Sequence, residues 1–395
     1  MPRQRKTVQM PSGIWRNTGG GYKAFYPNLL PPSINWSPSL IRAMSDADSR
    51  LGKLAGEGQR LPNPYLLIRP FIRREAVLSS RIEGTQSTLG ELLAAEAGVA
   101  VTRSPDDLRE VGNYVTALEY GLQRLKSLPL SLRFVRELHA KLMDGVRGYH
   151  ATPGDFRRSQ NWIGEPGCTL AQASYVPPPH DEMMDHLSGW EKFLHEDTLP
   201  PLVQAALMHY QFEAIHPFLD GNGRVGRLLI IILLCQREVL PLPLLYLSAF
   251  FEATRGDYYE RIRGVTEHGE WERWLHYFFN GVARQSEDAS SRAERINILL
   301  EKWRIQATAD SSATPARLLD LIGSNPYVTP RNAERKLGVV YNTAMDAIRR
   351  LERRGILQQI GESRRDRVFC AKGILDILEE PARLKPGSIA TASRD

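Results

Sequence analysis

The sequence HPFLDGNGRVGR, residues 216–227, decides how this chain is interpreted. It follows a predicted helix over Pro200–Phe212 and leads directly into the longest apolar run of the chain, Leu228–Cys235. That run is too short to cross a bilayer, so it predicts a buried helix and no membrane partner. Phe218 is expected in the core. We therefore expect a glycine-rich turn between two helices, with polar side chains gathered on it.

The turn has the properties of an anion site. Gly221, Asn222 and Gly223 come at the start of the second helix. Glycines let the backbone approach a ligand closely, and the first N–H groups of a helix have no intrahelical acceptor. The positive end of the helix dipole lies at the same place. The segment therefore predicts a phosphate-binding site.

Four side chains add chemistry to this site. Arg224 and Arg227 are three residues apart, so both project from one side of the first turn and can grip phosphate oxygens. Asp220 offers a hard oxygen ligand for Mg²⁺, and His216 can accept a proton near neutral pH. The glycines alone are typical of many helix connections, but such a connection needs no pair of arginines and no aspartate. The set predicts attack of a hydroxyl on a nucleotide phosphate.

These twelve residues resemble the signature of the Fic family, H-x-F-x-(D/E)-G-N-(G/K)-R-x-x-R, at every specified position. The resemblance implies an enzyme with an all-helical core that transfers AMP from ATP to a Ser, Thr or Tyr hydroxyl of a protein. It implies that His216 is the general base, that Asp220 holds Mg²⁺, and that the two arginines bind the β- and γ-phosphates. The related Doc kinases typically have Ala-Asn-Lys-Arg where this chain has Gly-Asn-Gly-Arg. The residues so assigned to nucleotide binding are Asp220, Gly221, Asn222, Gly223, Arg224, Val225, Gly226 and Arg227.

A second motif lies far upstream, where residues 79–84 read SSRIEG. It matches the inhibitory pattern (S/T)-x-x-x-E-(G/N) of the same family, with Ser79 and Glu83 on one helical face and Gly84 at the helix end. The resemblance implies that Glu83 pairs with Arg227 and occupies the donors meant for the γ-phosphate. In some relatives this glutamate also positions a water that removes AMP, so a de-AMPylating hydrolase is an alternative.

Two further assignments rest on the resemblance. The loop 151–181 is broken by Pro-Gly pairs, and a short β-hairpin is expected within 161–176. It resembles the family flap, whose backbone pairs with an extended target segment, although an ordinary surface hairpin explains it equally well. Tyr258 and Tyr259 resemble the stretch near the adenine pocket, although core packing explains these tyrosines equally well. The flap residues so assigned are Ala173, Ser174 and Tyr175.

The expected fold class is mainly α: a Fic-type helical core with a short β-hairpin flap, plus a C-terminal winged helix-turn-helix. The first 35 residues predict an irregular lead-in, and helices are expected over Pro70–Glu83 and Tyr258–Asn280. The expected domains are an N-terminal region with the inhibitory helix, a catalytic core, a helix with a linker, and the winged helix, at residues 1–110, 111–285, 286–313 and 314–395.

The C-terminal unit is defined by the order of its elements. Helices are expected over Thr314–Ile322, Pro330–Leu337 and Tyr341–Arg354, followed by strands over Ile356–Ile360 and Arg367–Cys370. This is the order of a winged helix-turn-helix. Residues 311–370 hold eleven Lys or Arg against six Asp or Glu, so most of the net charge of +6 lies here.

Two uses of this basic unit remain open. Arg349, Arg350, Arg353 and Arg354 at the end of the third helix, with Arg364, Arg365 and Arg367 on the wing, suit DNA phosphates. Tyr341, Asn342 and Thr343 can reach base edges. A docking module for a target protein, or for a second copy in a homodimer, is equally consistent. The chain is then either an AMP-transferring enzyme or a DNA-binding regulator with a nucleotide-sensing Fic part.

Composition sets the remaining bounds. A chain of 395 residues predicts two or three domains. Its three cysteines are far apart and form no C-x-x-C pair, which argues against a zinc site or a disulfide framework. The basic N-terminus is not followed by an apolar stretch, so no signal peptide is expected. These features predict a cytoplasmic protein.

Overall fold

The computed structural model describes residues 12–60, 64–102, 104–146, 152–165, 167–307, 312–361 and 367–382. These residues form helices for the most part, which confirms the mainly α fold class. The helices are α1 (Pro38–Arg60), α2 (Tyr65–Ile82), α3 (Leu89–Glu96), α4 (Pro105–Arg124), α5 (Leu132–Leu142), α6 (Met183–Leu194), α7 (Pro201–Ile215), α8 (Asn222–Gln236), α9 (Ser248–Ala253), α10 (Arg255–His268), α11 (Trp271–Ala307), α12 (Thr314–Ser324), α13 (Pro330–Leu337), α14 (Tyr341–Arg353) and α15 (Lys372–Glu379). The strands are β1 (Gly13–Asn17), β2 (Lys23–Pro27), β3 (Tyr327–Val328), β4 (Gln358–Ile360) and β5 (Val368–Cys370).

The chain divides into two compact units that interleave along the sequence. The first unit holds residues 1–49, 116–240 and 251–283, and the second holds residues 50–115, 241–250 and 284–395. The boundaries at 49, 115 and 283 fall inside α1, α4 and α11. α11 also runs without a break across position 285, where one domain is expected to end. The expected division into four domains stays a prediction.

The first unit is built around α7 and α8. Every residue of α7 from Leu202 to Ile215 is buried except Glu213, and α8 is buried from Arg224 to Leu234. A helix that is apolar on all sides is a core helix, as the run at Leu228–Cys235 predicts. Among the described residues no helix is both long and apolar enough to cross a bilayer.

The lead-in before α1 is more ordered than the sequence predicts. β1 and β2 pair as an antiparallel hairpin around the Gly19–Gly21 turn, with Trp15 opposite Phe25. Ala24 and Phe25 of β2 are fully buried. The prediction of an irregular segment was wrong because the strands are only five residues long, and the Gly19–Gly21 run forms the turn that joins them.

Two predicted helices have different bounds. α2 begins at Tyr65, so Pro70 lies inside it and does not start it. Proline has the helical φ, and the cost is one lost hydrogen bond and local crowding. The helix predicted over Tyr258–Asn280 is two helices, α10 and α11, because Gly269 adopts a left-handed φ of 66° and ends α10.

The expected hairpin within 161–176 is smaller than predicted. Among its described residues, one antiparallel bridge joins Ile163 and Tyr175. Between them the chain turns at Gly167 (φ 82°) and through a 3₁₀ turn, Leu170–Gln172. These turns leave few residues in register, so pairing does not extend beyond the bridge.

The second unit contains the C-terminal elements. α13 and α14 occupy nearly the predicted ranges, and β3, β5 and β4 form a three-stranded antiparallel sheet in that spatial order. The short β3 and the final α15 were not predicted. The assignment to the winged-helix class stays a prediction, and its wing arginines Arg364 and Arg365 lie outside the described residues.

The C-terminal elements pack on helices from the other end of the same unit. α12 and α15 contact α2, and α15 and β3 contact α3. Asn325 donates its side-chain amide to the Leu93 carbonyl (2.9 Å), and Asn332 donates to the Ala97 carbonyl (3.3 Å). The basic C-terminal segment is therefore part of the body that carries α2.

Charged side chains are buried where α2, α11 and α15 meet. Arg292 of α11 is 2% exposed, pairs with Asp288 (2.7 Å), and donates to the carbonyls of Ile377 and Glu380. Arg74 of α2 lies 3.8 Å from the same Asp288 carboxylate. Burial lowers the pKa of Arg74 to about 10. Removing one partner of such a cluster leaves buried charge and open carbonyls.

We expect Arg292→Met to lower the free energy of unfolding by about 3 kcal/mol, because Asp288 and the carbonyls of Ile377, Glu380 and Pro381 lose a charged donor. Arg295→Met is the matched control. Its guanidinium pairs with Glu380 but its side chain is 36% exposed, so we expect a loss of at most about 1 kcal/mol. Urea unfolding measures both, and equal losses would contradict a special role for the buried cluster.

Candidate active site

The site is organised by a left-handed residue between two helices of the first unit. α7 ends at His216, which has φ 49° and ψ 60°. This conformation costs a residue other than glycine about 1–3 kcal/mol, so surrounding contacts must hold it. The His216 Nδ1 atom lies 3.3 Å from the Glu213 carbonyl oxygen, which can only accept. Nδ1 therefore carries the proton, and Nε2 keeps a lone pair that can accept one.

Arg157 holds this turn in place. The side chain is 2% exposed and donates to the carbonyls of His216 (3.0 Å), Pro178 (2.5 Å) and Ser159 (3.3 Å). It also lies 3.5 Å from the Ile215 carbonyl, so its charge sits at the negative end of the α7 dipole. Burial lowers its pKa to about 10, which leaves it charged at neutral pH.

Asn161 adds a second clamp on the same turn. Its amide donates to the carbonyls of His216 (3.2 Å) and Phe218 (2.8 Å). Neither Arg157 nor Asn161 is predicted from the sequence, since both lie in a loop rich in proline and glycine. The available signal is a cation and an amide four residues apart, just upstream of the bridge at Ile163.

The loop after His216 closes on itself. The Asn222 side chain accepts from the Phe218 N–H (2.8 Å) and donates to the Phe218 carbonyl (2.8 Å). Asn222 is 2% exposed, so its amide holds the loop, and its contribution to an anion comes from the backbone. Gly221 adopts φ 78°, and a Cβ there would come within 3.0 Å of Met143 Sδ. Only glycine fits that position without strain.

His139 holds the backbone of Asp220 through a side-chain hydrogen bond. Its Nδ1 accepts from the Gly154 N–H (2.9 Å), so Nε2 carries the proton and donates to the Asp220 carbonyl (3.1 Å). The ring stacks on Phe218 at 3.7 Å, with the planes 7° apart. Burial lowers the pKa of His139 to about 4, so the ring is neutral at neutral pH. Phe218 is fully buried, as expected.

The predicted ligands of the phosphates and the metal lie together at the start of α8. Asp220 Oδ1 accepts from the Gly221 N–H (2.5 Å) and lies 3.5 Å from an Arg224 guanidinium nitrogen. Arg224 is 4% exposed and Arg227 is 2% exposed, and Gly223 lies in the same first turn. The first N–H groups of α8 open toward the same end of the helix. The turn therefore presents a carboxylate, two guanidinium groups and backbone donors.

The Asp220 carboxylate fits a magnesium ion that arrives with a nucleotide. The described residues contain no group of three or more His, Cys, Asp or Glu side chains that could hold a metal. Mg²⁺ usually keeps several waters and is bound through one or two carboxylates together with substrate phosphates. One carboxylate beside an anion site meets this need.

Val225 and Gly226 do not face the anion site with their side chains. Val225 is fully buried, and a Cβ on Gly226 would come within 2.6 Å of Glu213 Oε1 and 3.1 Å of His209 Nδ1. These two residues let α7 and α8 approach closely. Any contact with a nucleotide would come from their backbone, and the assignment of these two residues to nucleotide binding stays a prediction.

The two predicted adenine-pocket residues differ in their exposure to solvent. Tyr258 is 1% exposed, its hydroxyl lies 2.8 Å from His209 Nε2, and its ring stacks on Phe251. Its burial fits the core-packing alternative, and its assignment to an adenine pocket stays a prediction. Tyr259 is 39% exposed, and the Arg255 guanidinium lies 5.8 Å from its ring centroid.

The predicted flap is anchored by Tyr175. Its hydroxyl donates to the Ala214 carbonyl (2.6 Å), and its ring lies 5.9 Å from that of Trp15. Burial raises the pKa of Tyr175 well above 10. Ser174 is exposed and donates to the Ile163 carbonyl, and Ala173 packs against the cluster around β2. Tyr175 thus fixes the loop, and its neighbours are the more accessible positions.

The predicted inhibitory residues belong to the second unit. Ser79 is fully buried within α2, and Glu83 is exposed directly after the helix, with its N–H bonded to the Ser80 carbonyl. Gly84 follows with φ 103°, as a helix-ending glycine does. The pairing of Glu83 with Arg227 concerns both units and stays a prediction.

The arrangement defines a class of protein: a helical protein in which the turn between two core helices carries a histidine, a carboxylate, two guanidinium groups and backbone donors. Two family models match the chain, the Fic/DOC family N-terminal model over residues 41–123 and the Fic/DOC family model over residues 129–234. The chain therefore contains a Fic/DOC family N-terminal domain and a Fic/DOC family domain.

Curated relatives named protein adenylyltransferase Fic match over 166 residues. The protein from Drosophila virilis is 32% identical and that from Drosophila melanogaster is 31% identical. Each match covers 40% of this chain and 32% of the relative. The chain thus spans about a third of the length of these relatives.

Solved structures share the fold. A Fic family protein from Desulfovibrio desulfuricans superposes with a TM-score of 0.56 at 19% identity, over 87% of this chain and 98% of that chain. Fic-1 from C. elegans superposes with a TM-score of 0.53 at 21% identity, over 65% of this chain and 74% of that chain.

We expect Arg157→Met to lower the free energy of unfolding by about 3 kcal/mol, because several buried carbonyls lose a charged donor. Arg158→Met is the control, since the neighbouring side chain is exposed and should matter by less than about 0.5 kcal/mol. Urea unfolding measures the difference. If the two variants are equally stable, Arg157 does not hold the turn.

A buried histidine should make stability depend on pH. Burial, and next the charge of Arg227, lower the pKa of His209 from 6.5 to about 3. The unfolded chain takes up this proton near pH 6.5 and the folded protein only near pH 3. The stabilisation is therefore complete above pH 6.5 and is lost as the pH falls toward 3.

Between pH 7.5 and pH 5, we expect the free energy of unfolding to fall by about 2 kcal/mol less in His209→Gln than in the wild type. Urea unfolding at both pH values measures this. His195→Gln, at an exposed histidine, should leave the loss unchanged. If the free energy of unfolding of His209→Gln falls as much as that of the wild type, His209 takes up its proton in the folded protein by pH 5.

Proposed function

We propose that this chain is a protein adenylyltransferase that transfers AMP from ATP to a Ser, Thr or Tyr hydroxyl of a protein. The observation that carries the proposal is the His216 turn. It places the imidazole of His216, held through Nδ1 by the Glu213 carbonyl, next to a helix N-terminus that carries Asp220, Arg224 and Arg227. The names of the curated relatives support the same activity.

The proposed reaction uses these groups as follows. His216 Nε2 accepts the proton of the target hydroxyl, and the oxygen attacks the α-phosphorus of ATP. The bond between the α-phosphorus and the bridging oxygen breaks, and pyrophosphate leaves. Donors of the α8 N-terminus and the two arginines stabilise the charge on the phosphates. Magnesium, when bound with ATP at Asp220, neutralises part of the same charge.

We propose further that Glu83 restrains this activity. Its carboxylate follows directly on the rigid end of α2, and Arg227 is the γ-phosphate donor that the family pattern pairs with it. An arginine occupied by a carboxylate cannot grip phosphate oxygens with both of its donors. ATP would then bind in a pose that does not present the α-phosphorus to the hydroxyl.

We expect Glu83→Gly to raise self-labelling from α-labelled ATP and Mg²⁺ by about tenfold or more, because Arg227 becomes available for ATP. His216→Ala in the Glu83→Gly protein should lower labelling by about a hundredfold or more, because the general base is lost. Labelling is counted on the denatured protein.

Glu96→Gly is the matched control, since it removes a glutamate at the end of the next helix in the same unit. It should leave labelling at the wild-type level. A folded Glu83→Gly protein that takes no label from ATP, GTP or UTP would contradict the transferase. Release of AMP from a modified protein by the wild type, but not by Glu83→Gly, would identify the reverse hydrolase instead.

A further inference from the structure

α13 and α14 form a helix-turn-helix whose second helix has one open face. α13 ends at Gly338, which adopts φ 65°, and α14 begins three residues later at Tyr341. A short turn with a left-handed glycine is typical of helix pairs that meet at a steep angle. The glycine lets the chain reverse without strain, and it sets the direction in which α14 leaves the turn.

The two faces of α14 differ sharply. The inner face is apolar and buried, and its residues are Ala344, Met345, Ala347, Ile348 and Leu351. The outer face is polar and exposed, and its residues are Asn342, Asp346, Arg349 and Arg353. These four lie at spacings of four, three and four, so they form one stripe along the helix.

The charge around this stripe is positive. Residues 330–354 contain seven Lys or Arg and three Asp or Glu, a surplus of four. Arg335 and Lys336 in the last turn of α13 are exposed, beside the turn that leads to α14. Other parts of the C-terminal segment pack on α2 and α3, through contacts such as that of Asn332 with Ala97. The stripe on α14 lies outside these contacts and open to solvent.

We infer that this face binds double-stranded DNA, with α14 in the major groove. The helix has 13 residues and is about 20 Å long, and the B-form major groove admits a helix of this width. Arginine pairs with guanine and asparagine with adenine through two hydrogen bonds. Arg335 and Lys336 suit the phosphates at the groove edge.

The composition of the face separates DNA from other partners. The centre of a protein interface is depleted of charge, whereas Asp346 and Arg349 stand in the middle of this stripe. Duplex RNA has a deep, narrow major groove that side chains cannot read. The apolar groups at the leading end, Val340 (68% exposed) and Tyr341 (46% exposed), suit the methyl groups of thymine.

The test uses the full chain and a fluorescein-labelled 30-base-pair DNA duplex of mixed sequence, followed by anisotropy from 50 to 200 mM salt. We expect Arg349→Gln combined with Arg353→Gln to weaken binding about tenfold at 50 mM salt. The slope of log affinity against log salt should fall by about two, because two phosphate or base contacts are lost.

The control removes the same charge elsewhere in the second unit. Lys302 of α11 and Lys372 of α15 are exposed and lie outside α13 and α14, so Lys302→Gln with Lys372→Gln should leave affinity and slope nearly unchanged. All substituted side chains are exposed, and thermal melting checks that each variant folds.

A second measurement addresses base contacts. Selection from a randomised duplex pool should yield a preferred sequence, and Asn342→Ala should relax the preference at one position by about tenfold. Three results would overturn the inference: no duplex binding at 50 mM salt, equal losses in the arginine and lysine pairs, or tighter binding of an RNA duplex of the same length. The inference does not depend on the transferase activity.

Discussion

The left-handed turn at His216 is the constraint on which the site depends. A helix that continued through this residue would carry its ring away from the start of α8. A turn with φ 49° costs free energy, so it persists only because Arg157 and Asn161 both donate to the His216 carbonyl. Both donors belong to the loop before α6. The two hydrogen bonds therefore hold His216 and the end of α7 against the start of the predicted flap.

The anion site is a consequence of core packing. Val225 and Gly226 let α8 lie close against α7, and a larger residue at Gly226 would meet Glu213 and His209. This contact sets the point where α8 begins, and the helix start supplies the N–H donors and both arginines. The packing of Val225 and Gly226 therefore determines the geometry of the predicted anion site as firmly as its polar residues do.

The sequence identifies the candidate residues of this site because they are local: a histidine, a carboxylate, glycines and arginines lie within residues 216–227, and their roles stay predictions. It predicts poorly whatever depends on distant contacts. Arg157 is 59 residues from His216, and its role appears only when the loop folds over the helix end. Tyr258 resembles a residue near the adenine pocket of the family, and core packing explains it equally well from the sequence; in the structure its hydroxyl meets His209, 49 residues away, in an aromatic core. The β1–β2 hairpin is also not predicted from the sequence, because its Trp15 and Phe25 rings pack against Tyr175 of the predicted flap, far along the chain.

The second unit brings together residues that lie more than two hundred positions apart in the sequence, such as Arg74 and Asp288. α2 is one continuous helix, and its middle is held on both sides. Arg74 reaches the Asp288–Arg292 pair and the Glu380 carbonyl, while Glu75 accepts from Tyr114 and Ser248. Ser79 lies one turn later in the same helix, and Glu83 lies one further turn on, directly after the last helical residue. Because a helix transmits direction along its axis, the contacts at Arg74 and Glu75 also fix where the end of α2 points. The C-terminal segment is thus part of the structure that positions the predicted inhibitory motif.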